Sequence, residues 1–285
     1  MKQPLWLFCI IMSSFSSMAQ EHPVIHLWPG SVPGETAAKH AAVPTPDSSR
    51  NVIRLTDVTD PILTVYTPKA GATNLHTGIV VCPGGGYSIL AINLEGDEIA
   101  QWLCGMGYTA FVLQYRVPQK EKGALQDVQR AIRIVRSRAR EWQLGTHVGV
   151  LGFSAGGSLG ARAATLYEQH NYMPVDEADA LSCRPDFAVL IYPAYLDRGP
   201  QHTLTPELAV NEKTPPMFLF ATADDAHSNS ALVMAGALRS AKVPVELHLY
   251  AQGGHGYGLR PGNPAAEVWP ALAGKWLKKM TAALR

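Results

Sequence analysis

Residues 149–158 read GVLGFSAGGS: an apolar run, then a single serine set among glycines. Two readings compete for Ser154. It is a nucleophile lifted toward a substrate, or it is a hydroxyl in a strand-to-helix turn where small residues serve packing alone. VGVLGF (148–153) is continuously apolar, as a strand covered on both faces should be, and AGGSLGARAATLYE (155–168) carries a helical pattern. Gly152-Phe153-Ser154-Ala155-Gly156 therefore spans a turn from strand to helix and matches G-x-S-x-G. The glycines answer a steric need. So tight a turn holds the serine in a strained backbone conformation, and flanking side chains would collide with the neighbouring strand and helix.

A serine hydroxyl is a poor nucleophile until a base takes its proton. If Ser154 is one, the chain must also supply an acid and then a histidine after later strands, in the order Ser…Asp/Glu…His. MFLFATADD (217–225) ends in Asp224 and Asp225, and VELHLYAQGGHGYGL (245–259) places His255 between glycines just past a strand. No apolar surroundings explain a histidine there, so His255 is expected to be the base. The acid has two candidates. The usual pattern sets it three residues after a strand-end glycine, a place held here by Thr222, which selects Asp225 and leaves Asp224 as a turn former. Upstream, VVCPGGGYS (80–88) puts three glycines directly after a buried strand. Amides of Gly85 and Gly86, with that of Ala155, are expected to converge on a developing oxyanion. A phosphate cradle is excluded because no G-K-[ST] ending follows. His227 lies near the acid as a candidate pocket wall, and no H-E-x-x-H or other close ligand cluster points to a metal.

The rest of the chain sets these pieces in one frame. Strand candidates at 62–67, 78–82, 108–115, 148–153, 187–192, 217–222 and 245–250 alternate with helical patterns at 95–107, 124–142, 155–168, 228–241 and 266–284. Such alternation predicts an α/β fold with a mostly parallel central sheet and helices on both faces. In 124–142, Leu125, Val128, Ile132, Val135, Ala139 and Trp142 form one apolar stripe, and the arginines Arg130, Arg133, Arg136, Arg138 and Arg140 are read as a solvated outer face. The 285 residues are 47% hydrophobic and 16% charged, enough apolar content for a sizeable core. A formal charge of +1 gives no field directed at nucleic acid or a membrane surface, so a neutral substrate is expected.

The first residues differ in character. Lys2, then LWLFCII, then Ser17 and Ala19 give the charged–apolar–small order of an export signal cut after Ala19, rather than a buried helix. Residues 1–19 are thus expected to be a cleaved leader, 20–50 an N-terminal surface arm and 51–285 the catalytic domain. The product would be periplasmic or secreted, with no membrane insertion after cleavage. Cys82, Cys104 and Cys183 remain, which allows at most one disulfide.

With these residues in hand, the chain resembles the α/β-hydrolase superfamily, and within it secreted bacterial esterases of the acetylxylan-esterase and feruloyl-esterase-like type. The similarity is carried by LWPGSVPG, LTVYTP, CPGGGY, YRVP, GFSAGG, YPAYL, PPMFLFATADD and GGHGYGL. The resemblance implies an α/β-hydrolase fold without a large cap domain and no cofactor. It also implies a Ser154–His255–Asp225 acyl-enzyme mechanism acting on an acylated carbohydrate or small ester. Removal of small acyl groups, acetyl first, is the leading expectation; a feruloyl or general carboxylesterase is the alternative. A prolyl-type peptidase is more remote, because such enzymes rely on a large extra domain for which this chain has no room. Two departures stand out: DDAHSNSAL is a shortened acid loop, and LEG replaces the usual His-Glu-Gly, with Leu94 in the histidine position. No long apolar insertion offers a lid. Tyr87 and Tyr257 are expected to bind substrate, crowding the acyl side and presenting faces for sugar stacking.

Overall fold

The computed structural model describes residues 22–283, so the expected leader lies outside the described residues. Eleven strands and five α-helices are described. The first half contains β1 (Val24–His26), β2 (Val43–Pro44), β3 (Arg54–Thr56), β4 (Ile62–Tyr66), β5 (Gly78–Cys82) and β6 (Leu90–Ala91). Then come α1 (Glu98–Gly105), β7 (Thr109–Gln114), α2 (Glu121–Ser137), β8 (Val148–Phe153) and α3 (Ala155–Thr165). The last part holds β9 (Ala188–Ile191), β10 (Met217–Thr222), α4 (Asn229–Ser240), β11 (Val245–Tyr250) and α5 (Trp269–Ala283). All seven expected strands are present; the four further ones have two or three residues each, too short for a periodic signal.

Eight strands form one sheet in the order β1-β4-β7-β5-β8-β9-β10-β11. From β7 to β11 all neighbours run parallel, while β4 is antiparallel to β7 and β1 to β4. Alternation along the strands divides the core. Val80, Phe111, Val150, Leu190 and Leu219 face one apolar layer with α2, α3 and α4; Val81, Val112, Leu151, Val189 and Phe220 face another with α1 and α5. Burial on both faces explains why these strands read as unbroken apolar runs. This is an α/β-hydrolase sheet. Between β9 and β10 lies only a short 3₁₀ turn (Pro200–His202) and irregular chain, with no large cap.

Packing bears on two expectations. The first concerns the N-terminal arm. Residues 29–50 are largely exposed, but the chain before them is part of the fold: β1 extends the sheet and Leu27 and Trp28 are fully buried. Trp28 donates its indole N–H to Asp127, itself paired with Arg116. A unit starting at residue 51 would expose this surface. The second concerns α2. Arg130 and Arg133 are buried rather than solvated. Arg130 pairs with Asp176 and Asp179 and donates to the Leu27 carbonyl, and Arg133 donates to Tyr172 and the Leu181 carbonyl. The segment after α3 folds over this face and supplies acceptors for each guanidinium, as buried charge requires. Cys82, Cys104 and Cys183 are free thiols, and among the described residues no helix is long and apolar enough to cross a membrane.

Candidate active site

Ser154 sits between β8 and α3 with φ 51° and ψ −117°. A non-glycine residue there carries strain of order 1–3 kcal/mol, which persists only where the surroundings enforce it. They do. A Cβ on Gly152 would lie 2.1 Å from the Gly156 carbonyl oxygen, and one on Gly156 would lie 2.0 Å from that of Cys82. The Ser154 N–H donates to the Ile191 carbonyl at the end of β9, and its carbonyl accepts from Ala194. Sheet and turn together hold the hydroxyl above the parallel strand ends.

That hydroxyl meets His255 Nε2 at 2.7 Å, and His255 Nδ1 meets Asp225 Oδ2 at 2.7 Å. The other Asp225 oxygen accepts the His227 N–H at 2.9 Å, so both carboxylate oxygens have donors. The Asp225 side chain is 2% exposed and that of His255 30%. An ionised Asp225 fixes the proton on Nδ1 and leaves Nε2 to accept from Ser154. Asp224 faces elsewhere: its carboxylate accepts the N–H groups of Gly253 and Gly254, at 3.1 and 2.9 Å, just before the histidine. Those amides hold its carboxyl below the usual range. Asp224 thus does more than form its own turn.

The glycine loop closes the other side. Gly84 lies so near the elbow that a Cβ would fall 2.8 Å from the Ser154 Cβ. Gly85 and Gly86 have φ of 135° and 64°, and a Cβ on Gly85 would overlap the Ile89 carbonyl at 2.1 Å. Neither of these two amides donates to a protein acceptor among the described residues, and Ala155, as the first residue of α3, has none within its helix.

Tyr87 and Tyr257, expected to contact substrate, expose little of their rings. Both are buried, at 2% and 7% exposure. Tyr87 packs among Tyr115 and Tyr195, and Tyr257 lies edge-on against Tyr192 with its hydroxyl buried and unpaired. The cleft alongside His255, about 470 Å³, is lined by Arg50, Val52, Leu94, Arg260 and Asn263 together with the histidine loop, where Tyr257 contributes a small exposed edge, and Tyr87 is not among its walls. His227 stands edge-on to both His255 and Tyr195, at 5.1 and 5.5 Å between ring centroids. Among the described residues no three His, Cys, Asp or Glu side chains cluster as metal ligands.

One site residue escaped sequence reasoning. Glu95 is fully buried behind the glycine loop, accepting from the Gly84 N–H at 2.7 Å and from the Tyr192 hydroxyl at 2.8 Å. Burial pushes its carboxyl up, against the opposing pull of these two donors. The signal was the middle letter of LEG, overshadowed by the missing histidine at Leu94.

The sequence matches the family model described as BD-FAE over residues 63–190, a span holding the glycine loop and the elbow. An acetylxylan esterase of Xylanibacter ruminicola is 28% identical over 231 residues, 72% of this chain and 46% of that protein. Endo-1,4-beta-xylanase B of Butyrivibrio fibrisolvens is 30% identical over 205 residues, 62% of this chain and 32% of that protein. The chain thus spans less than half the length of either curated relative. The crystal structure of an acetyl ester-xyloside bifunctional hydrolase from Caldicellulosiruptor lactoaceticus superposes with a TM-score of 0.74 at 30% identity, covering 93% of this chain and 98% of that one. With that end-to-end match, the chain belongs to an esterase family of the α/β-hydrolase superfamily.

Proposed function

We propose that the protein is a serine carboxylic-ester hydrolase that removes small acyl groups, acetyl foremost, from xylan-type polysaccharide or its oligosaccharides. The observation that carries this reading is the unbroken Ser154–His255–Asp225 chain, with both links at 2.7 Å. Ser154 Oγ attacks the ester carbonyl carbon while its proton passes to His255 Nε2, and Asp225 stabilises the resulting imidazolium. The carbonyl oxygen, now an anion, is received by the amides of Ala155, Gly85 and Gly86. Each such donor contributes ~3 kcal/mol to the transition state. Collapse expels the alcohol, which takes its proton from His255 and leaves an acylated Ser154. A water deprotonated by His255 then releases the acid and restores the serine.

The substrate assignment draws on the relative named an acetylxylan esterase and the structure named an acetyl ester-xyloside bifunctional hydrolase. Because His255 must hand its proton to the departing alcohol, the sugar belongs on the histidine side, where the 470 Å³ cleft opens. Export by residues 1–19 belongs to the same proposal and is checked by the mass of the mature N-terminus.

The deciding assay measures acetate release from acetylated xylan alongside p-nitrophenyl acetate, butyrate and octanoate, with methyl ferulate and a prolyl anilide as rivals. Acetyl esters should be turned over fastest and kcat/KM should fall with chain length. An octanoyl preference, a faster ferulate or anilide reaction, or no acetate release would overturn the assignment.

A further inference from the structure

Two irregularities of the backbone meet behind the active site. Residues Asn93–Asp97 form a π-helical turn ahead of α1, and Glu95 stands at its centre. Such turns are rare and recur where a side chain must be re-aimed. Opposite, Tyr192 leaves β9 with φ of 37°, a conformation that a bulky residue adopts only under constraint. The two departures point one carboxylate and one hydroxyl at each other in a fully buried gap. We propose that Glu95 and Tyr192 act together as positioning residues, a brace that sets the oxyanion loop and the histidine loop at one fixed separation.

The brace is continuous. Gly84 N–H donates to Glu95 Oε2 at 2.7 Å, the Tyr192 hydroxyl donates to Glu95 Oε1 at 2.8 Å, and Gly258 N–H donates to the Tyr192 oxygen at 3.0 Å. At one end the Gly84 carbonyl also accepts from Ala91, so both flanks of the peptide presenting the Gly85 amide are held. At the other, Gly258 ends the loop that carries His255, whose ring lies 5.0 Å from that of Tyr192 between centroids. The approach is close enough to demand glycine: a Cβ on Gly84 would sit 2.6 Å from Glu95 Oε2, and one on Gly258 would sit 2.7 Å from Leu94 Cδ1. An apolar side chain would fill this space at less cost than a carboxyl cut off from water. What the carboxyl adds is two acceptors in fixed directions, one for each loop. Neither Glu95 nor Tyr192 hydrogen-bonds Ser154, so the brace acts by geometry.

The role rests on the esterase reading of the site, and its test is built to separate the two. Glu95→Gln cannot preserve both contacts. One orientation turns an amide N–H toward the Gly84 donor. The other turns it toward a Tyr192 oxygen that already accepts from Gly258 and loses the acceptor for its own proton. Tyr192→Phe removes one oxygen and retains the ring, which keeps the test available should Glu95→Gln fold poorly. Ser154 is titrated with a phosphonate so that rates are read per competent site, and hydrogen exchange is followed in peptides covering 83–88 and 253–260. Each variant should lower kcat for p-nitrophenyl acetate by up to about 10²-fold with KM nearly unchanged, as for a small misplacement of catalytic groups. The double variant should fall no further than the worse single one. Each single variant should also speed exchange in both loops, including the one its residue does not touch. Full kcat per titrated site, multiplicative losses in the double variant, or exchange changes confined to the nearer loop would overturn the brace. If the unaltered protein hydrolyses no ester, the function reading fails, and the exchange data still decide the brace.

Discussion

At the elbow the backbone is held by sterics, main chain against main chain; at the histidine it is held by polar groups brought from elsewhere. Gly152 and Gly156 leave no room for a methyl group, and Ser154 follows from that crowding. In the loop 253–258 the tightest approaches, at Gly253 and Gly258, are to the side chains of Ala265 and Leu94 rather than to main chain, and polar groups do most of the holding. The loop's amides and carbonyls are tied to Asp224 and Thr222, 30 and 32 residues earlier, to Tyr192, 66 residues earlier, and to Asn263. Steric restraint is all-or-none and written in a few adjacent letters. Polar restraint is graded, and its parts are scattered along the chain. A nucleophile must be lodged in one strained geometry, whereas a base must hold its aim and still exchange protons with solvent-borne groups.

Removing the nucleophile tests the steric half most severely. Ser154→Ala keeps a small side chain in the turn and should lose about 10⁶-fold in kcat with an unchanged unfolding midpoint; retained turnover would place the chemistry elsewhere. On the polar half, Asp225→Asn should cost about 10⁴-fold in kcat through the wrong imidazole tautomer, with the fold intact. A larger loss in Asp224→Asn would reverse the assignment of the two carboxylates. Gly156→Ala should instead act on the fold, since its methyl overlaps the Cys82 carbonyl. Overpacking of this kind typically costs about 1–3 kcal/mol, readable as a lowered unfolding midpoint; an unshifted midpoint would show the elbow to be more yielding than its glycines suggest.

Asp224 gives a gentler effect. Asp224→Asn keeps one acceptor for the two glycine amides and should lower kcat only a few-fold. Its carboxyl is held below the usual value by those amides. Protons therefore bind more weakly in the folded state, and the contribution is full above the unfolded pKa of ~3.9 and lost as pH falls through the lower folded value. Exchange at Gly253 and Gly254 should accelerate on that acid side in the natural protein and stay flat in Asp224→Asn. The smallest effect is expected of Tyr257→Phe. Its hydroxyl is buried without a partner, so removing it should leave both the midpoint and the acetyl esterase rate unchanged or slightly raised. A marked rise in KM for sugar esters would make Tyr257, which edges the cleft, a substrate contact.

Sequence alone determined the sheet, the elbow and the order of the nucleophile, acid and base. These follow from short-range causes: a strand buried on both faces must be apolar throughout, and a turn crowded by backbone must be glycine. It also favoured Asp225 over Asp224, the carboxyl that meets His255 in the fold. What it could not carry was the destination of side chains whose partners arrive from distant segments. Arg130 reads as a solvated cation until Asp176 and Asp179 close over it, and Tyr87 reads as a platform until Tyr115 and Tyr195 enclose it. Glu95 is a single letter before a glycine until β9 delivers Tyr192. Periodicity states which residues share a face, and only tertiary structure decided what covers that face, because burial of a polar group depends on a partner that no local pattern specifies.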